Sequence, residues 1–155
     1  MKPFSLVVLI FIAGCGKLPT DVELSSFVGE HRRSLDELAA MLQADFDQHH
    51  VIEVSLTEVD VLPGERVPEL DASRLGTYRS RLSEAGLQRV VMMPFGKPPE
   101  RHPAFAVAIQ GFSGNFTQRG VLKANPCPTA FADQYDEERF TKLPLGWCTF
   151  SWHSL

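Results

Sequence analysis

The chain has 155 residues, 44% of them hydrophobic, with 19 acidic and 15 basic side chains and a formal net charge of −4. That length suits one domain with one core, and a second independent domain is not expected. The acidic balance argues against nucleic acid or an anionic lipid surface as partner, since both require a concentrated basic patch. The nearest approach to one is His31-Arg32-Arg33 with Arg74, Arg79 and Arg81, and the last three sit among acids as on a solvated helix face.

Leu6 to Lys17 reads LVVLIFIAGCGK. The run is shorter than the roughly 20 apolar residues that cross a bilayer core, and it lacks the polar stripe of a surface helix. Led by Lys2 and closed by Ala13 and Gly14, it has the layout of a secretory signal peptide. Ile12-Ala13-Gly14-Cys15 then resembles the lipobox of bacterial lipoproteins. The resemblance implies cleavage of residues 1–14 and a thioether diacylglycerol plus an N-acyl group on Cys15. Two acyl signals anchor stably where one chain is marginal. Gly16, where an Asp would retain the protein at the inner membrane, implies the periplasmic face of the outer membrane. Cleavage leaves 141 residues and removes Lys2 but no acid, so the net charge moves to −5. With Cys15 lipidated, Cys127 and Cys148 remain, and an oxidising periplasm makes a bond between them the expectation. Their spacing is far wider than the C-x-x-C of redox thiols, which favours a structural bond contributing about 3 kcal/mol.

Residues 16–33 are polar without sustained periodicity, so 15–33 reads as a lipidated tether and 34–155 as the folded domain. Ser34 and Glu37 have the spacing of a capping box. Behind them Leu35, Leu38, Leu42, Phe46 and His49 share one face, predicting a helix over 35–49. In Val51 to Val61, Ile52, Val54 and Leu56 alternate with polar residues as in a half-buried strand. Past Glu58 the apolar phase shifts to Val59 and Val61, which suggests a bulge or kink before the Pro63-Gly64 turn. A second helix is expected from a cap at Asp71 or Ser73, with Leu75, Tyr78, Leu82 and Ala85 on its buried face and Gly86 at its end. Gln88 to Phe95 forms a short apolar strand, and the prolines of GKPPERHP exclude regular structure after it. Residues 104–112 alternate Ala104, Ala106 and Ala108 with Phe105, Val107 and Ile109, so one face of that strand must lie close to something, such as a helix. After Ser113-Gly114-Asn115, Phe116 to Ala124 reads as its hairpin partner. Residues 125–144 look like a loop with an acidic middle, and Trp147 to Trp152 is a final strand. The order predicts an α+β fold: an antiparallel or mixed sheet of about five strands, two helices on one face, and one disulfide.

Searches for chemistry find no H-E-x-x-H, Walker loop, G-x-G-x-x-G or G-x-S-x-G, and Ser113 reads as a turn residue. Asp45 and His49 are one helical turn apart and, with His50, are the candidate metal ligands, although a structural zinc needs four. Histidines at a helix C-terminus also complement its dipole. His102, His153, Glu53 and Glu58 form no recognisable set, and without nucleophile, base and orienting group together an enzyme is not supported and no cofactor is implied. Aromatic residues crowd the last third, where they supply core bulk. The acidic loop with Asp133, Tyr135, Asp136, Glu137 and Glu138, held by the expected disulfide, is the candidate surface for a periplasmic protein partner. The sequence therefore suggests a lipid-anchored envelope protein that binds or inhibits, as an immunity protein blocks a toxin or lytic enzyme. A metal-assisted envelope hydrolase using Asp45, His49 and His50, or an assembly lipoprotein, are the alternatives.

Overall fold

The computed structural model describes residues 18–96, 102–113, 115–130 and 137–154. Helix α1 runs over Asp21–His49, a length of about 43 Å at 1.5 Å per residue. It starts well before Ser34. Thr20 is the N-cap, its hydroxyl accepting from the Glu23 amide while the Glu23 carboxylate accepts from the Thr20 amide at 2.6 Å. The buried stripe begins at Leu24, Phe27 and Val28 and continues through Leu35, Leu38, Ala39 and Leu42 to Asp45. Residues 21–33 are thus a packed part of the domain, not tether. Ser34 and Glu37, which resembled a cap, lie mid-helix and reach the second helix, α2 (Ala72–Glu84), instead. The Ser34 hydroxyl donates to Glu84 at 2.9 Å, and Glu37 pairs with Arg81.

α1 ends where His50 turns left-handed, its amide bonded back to Asp45 and Phe46 carbonyls. The next residues form a hairpin, β1 (Val51–Ser55) and β2 (Val59–Val61), rather than one kinked strand. The phase shift past Glu58 is a chain reversal, held by the Ser55 hydroxyl accepting from the Thr57 and Glu58 amides. A register irregularity does occur, but earlier, between Val51 and Glu53. Helix α2 (Ala72–Glu84) is capped by the Asp71 carboxylate accepting from the Arg74 amide at 2.7 Å. Gly86, at φ +66°, turns the chain into β3 (Arg89–Phe95).

The rest is sheet: β4 (His102–Ser113), β5 (Asn115–Lys123), β6 (Glu137–Lys142) and β7 (Trp147–Ser154). The order is β2-β1-β3-β4-β5-β7-β6 and every neighbouring pair is antiparallel. The α+β class and the disulfide stand as expected, with seven strands in place of about five. One addition is the hairpin β1-β2. The other is β6, in the stretch expected to be loop.

Both sheet faces are covered. Under the helices, Val51, Val54, Val90, Met92, Phe105, Val107, Val121 and Trp147 join the α1 and α2 side chains in one core. On the other face Phe95, Phe150 and Trp152 close over Ala104, Ala106, Leu122 and Cys148. The ring centroids of Phe95 and Phe150 lie 6.1 Å apart although β4 and β5 run between their strands. The small residues on those strands make the approach feasible: a Cβ on Gly120 would lie 2.9 Å from the Phe150 ring. What lies close to the alanine face is therefore aromatic, not helical. The loop after β5 covers this second core, tied down by the Cys127–Cys148 disulfide and by the Gly96 amide donating to the Ala130 carbonyl at 2.9 Å. Among the described residues no helix is long and apolar enough to cross a membrane.

Candidate functional site

Two polar clusters tie the helices to the rest of the fold. In the first, Asp45 on α1 is buried and accepts three hydrogen bonds from α2: from Arg74 Nε and Nη2 at 3.1 Å each and from the Tyr78 hydroxyl at 2.6 Å. Arg74 Nη2 also donates to the Met41 carbonyl at 2.9 Å. Burial, and then the bond to Asp45, push the Tyr78 phenol above its ordinary range. Both Asp45 oxygens and the Tyr78 hydroxyl are engaged between α1 and α2, so the cluster is a staple between helices.

That arrangement removes Asp45 from the metal set its spacing suggested. His49 and His50 are exposed, and His50 leaves the helix axis to meet Glu65 at 3.3 Å. One turn of helix does bring Asp45 and His49 to adjacent positions, but α2 claims the carboxylate first. Among the described residues no three His, Cys, Asp or Glu side chains gather around a common point. Glu53 pairs with Arg89 and Glu58 lies in the β1-β2 turn, so these two do not form an acid-base couple.

The second cluster is centred on Asp36. Its Oδ1 accepts from Lys123 Nζ at 2.6 Å and from Trp147 Nε1 at 3.1 Å, and its Oδ2 faces Arg32 Nε at 3.4 Å. Burial opposes ionisation of Asp36, but the bonds from Lys123 and Trp147 outweigh it and hold the carboxyl below its ordinary value. Lys123 Nζ also stands 5.0 Å from the Trp147 ring centroid and donates to the Leu145 carbonyl at 3.1 Å.

These contacts hold an unusual turn. β6 and β7 are joined by Pro144-Leu145-Gly146, closed by the Leu143 amide donating to the Trp147 carbonyl at 2.8 Å. Leu145 has φ +65° and ψ +34°, a left-handed conformation that puts Cβ against the following carbonyl and costs about 1–2 kcal/mol for an L-residue. Gly146, at φ +78°, adopts the same region without that cost. The Lys123 bond to Leu145 and the Ala124 amide bond to the Gly146 carbonyl at 2.9 Å fix the geometry. The Leu145 side chain is 60% exposed. Beside it lies an open depression of about 550 Å³ lined by Lys123, Ala124, Asn125, Lys142, Leu145 and Gly146. The turn is thus a strained, fixed backbone that presents an apolar side chain beside a rim carrying Lys123 and Lys142.

No family model, curated protein or solved structure matches this chain. The site is therefore read from its own geometry.

Of the acidic loop expected to meet a partner, Asp133, Tyr135 and Asp136 lie outside the described residues, as does Cys15. Glu137 and Glu138 open β6, in register with His153 and Trp152 of β7. β6 is the outermost strand on its side of the sheet and leads directly to the Leu145 turn. His102 opens β4 opposite Phe95, and Ser113 ends it opposite Asn115, as a turn serine should. Sequence reasoning missed Leu145. The signal available was Pro-Leu-Gly at a strand junction, but nothing local forces the leucine into the left-handed region.

Proposed function

We propose that the chain is a lipoprotein anchored through Cys15 to the periplasmic face of the outer membrane, and that it binds a protein partner as an inhibitory, immunity-type module. The observation that carries the binding half is Leu145, exposed and held left-handed by Lys123 beside the depression. A binding surface stores such strain because a rigid apolar anchor loses little entropy on docking. The edge strand β6 extends this surface. Outermost on its side among the described strands, it presents a backbone edge to a partner strand, with Glu137 and Glu138 at one end and Lys142 at the other. The acidic net charge suits a basic partner such as a cell-wall lytic enzyme. The disulfide Cys127–Cys148 fits an oxidising compartment.

The test compares the protein with its Leu145→Asp variant as bait for periplasmic proteins of competing cells. A partner retained by the parent and lost by the variant is expected, together with reduced survival of a deletion strain in competition. Recovery of no partner, with survival unchanged, removes the reading. A partner resident in the same envelope, in place of an incoming one, would assign an assembly role.

A further inference from the structure

Among the described residues the sheet has two outer strands, and they differ in what they offer a further strand. β2 covers only Val59–Val61, with Pro63 two residues beyond, so little backbone is free to pair. β6 has six residues, Glu137-Glu138-Arg139-Phe140-Thr141-Lys142, and its charge runs from acidic at the start to basic at the end. A strand with that polarity is complementary to an antiparallel copy of itself.

The complementarity selects one register. A two-fold axis perpendicular to the sheet sets one residue opposite its own copy, and that choice fixes every other pair. Centred on Glu137 or Glu138, the pairing opposes two carboxylates; centred on Arg139 or Lys142, it opposes two cations. Centred on Thr141, it sets Glu138 against Pro144, which has no amide to donate. Centred on Phe140, it sets Glu138 against Lys142 twice over and Arg139 against Thr141, with no like charges opposed. The charges that repel a strand in other registers therefore admit this one.

The side chains on β6 fit the same axis. Phe140 is in register with Phe150 and its ring centroid lies 6.0 Å from that of Phe95, so it faces the second core while staying half-buried. Glu138 and Lys142, two residues to either side, share that face. Pairing about Phe140 brings the two rings together, with a carboxylate and an ammonium meeting on each flank. Lys142 and Arg139 are exposed and make no ion pair with any described residue, so docking breaks none of theirs.

We propose that β6 pairs antiparallel with β6 of a second copy of this chain, about a two-fold axis at Phe140, joining the two sheets into one. The proposal rests on the reading of β6 as a strand-accepting edge, and needs neither lipid on Cys15 nor a foreign protein at Leu145. For the test, an equal mixture of normal and heavy-nitrogen full-length chains in detergent solution is treated with a carbodiimide, which joins a carboxylate to an ammonium in contact. A cross-link between light and heavy chains through Glu138 and Lys142 is expected, with a dimer by sedimentation equilibrium. Glu138→Lys and Lys142→Glu each oppose like charges across the axis and should reduce the dimer several-fold, while the double exchange restores it. A chain that stays monomeric, cross-links between copies that avoid β6, or single variants that dimerise like the parent overturn the proposal. A double exchange that keeps the parent's urea midpoint but fails to recover the dimer overturns it as well. Capture of a foreign partner by variants that have lost the dimer leaves the Leu145 reading standing, and a Leu145→Asp chain that loses capture but still dimerises supports both.

Discussion

Replacing Asp45 by alanine removes the one carboxylate on which Arg74 and Tyr78 converge, and the structure gives the size of the loss. Tyr78 is fully buried, so its hydroxyl, now 2.6 Å from Asp45 Oδ2, is left without an acceptor, which costs about 1–3 kcal/mol. Arg74 is cushioned: its side chain is 31% exposed and keeps the Met41 carbonyl, so water replaces part of what it loses, adding about 1 kcal/mol. The expected destabilisation is about 2–4 kcal/mol, a large share of the 5–15 kcal/mol typical of a domain. Tyr78→Phe removes a donor but leaves Asp45 both Arg74 bonds, and should cost only about 1–2 kcal/mol. Combined, the two changes must fall short of additivity by about 1 kcal/mol or more, because the orphaned hydroxyl no longer exists to be penalised. Urea unfolding followed by far-ultraviolet circular dichroism, extrapolated linearly to water, measures all three. A loss below about 1 kcal/mol for Asp45→Ala, or additive single changes, would refute the view of this cluster as the staple between α1 and α2.

The same tyrosine sets a limit at high pH: with its pKa raised from 10.0, folding favours the neutral phenol, whose contribution is complete below pH 10 and is lost as pH rises further. Alkaline destabilisation that persists undiminished in Tyr78→Phe would contradict this. Asp36 acts at the other extreme, since a pKa held below 3.8 by Lys123 and Trp147 against burial contributes stability above that value and loses it as pH falls through the folded pKa. Trp147 fluorescence should report that acid transition, and Asp36→Asn should abolish it. Gly120→Ala places a Cβ 2.0 Å from the Val107 carbonyl and against the Phe150 ring, so a destabilisation of about 2 kcal/mol or more is expected by urea unfolding, and near-native stability would show that β4 and β5 yield easily. Leu145→Gly relieves the left-handed strain and should stabilise the fold by about 1 kcal/mol while weakening partner capture; a loss of stability would mean that the leucine side chain serves the core.

The class of the fold was legible because its longest elements keep their periods: Leu35, Leu38 and Leu42 mark a helix, and Phe105 with Val107 a strand. The start of α1 was not. Thr20-x-x-Glu23 and Ser34-x-x-Glu37 carry the same capping chemistry, and only Leu24, Phe27 and Val28 decide between them, set among polar residues that dilute the period. β6 reads EERFTK, and only Phe140 joins a core; an edge strand carries charge because its outer side must repel other strands, so alternation is the wrong signal to seek there. Asp45 and His49 are one turn apart on α1, as their spacing implies, but Asp45 is buried while His49 is exposed, and the fate of the carboxylate is decided by Arg74 and Tyr78 on another helix. Leu145 was illegible for the same reason, since its backbone is set by Lys123 on a strand distant in sequence.

Those long-range contacts also fix the distance between the two ends of the molecule. Asp36 binds both Lys123 and Trp147, and Lys123 in turn holds the Leu145 carbonyl, so the Leu145 turn is linked to the middle of α1 without a flexible joint. β5 spans nine residues between the two ends, about 30 Å at strand rise.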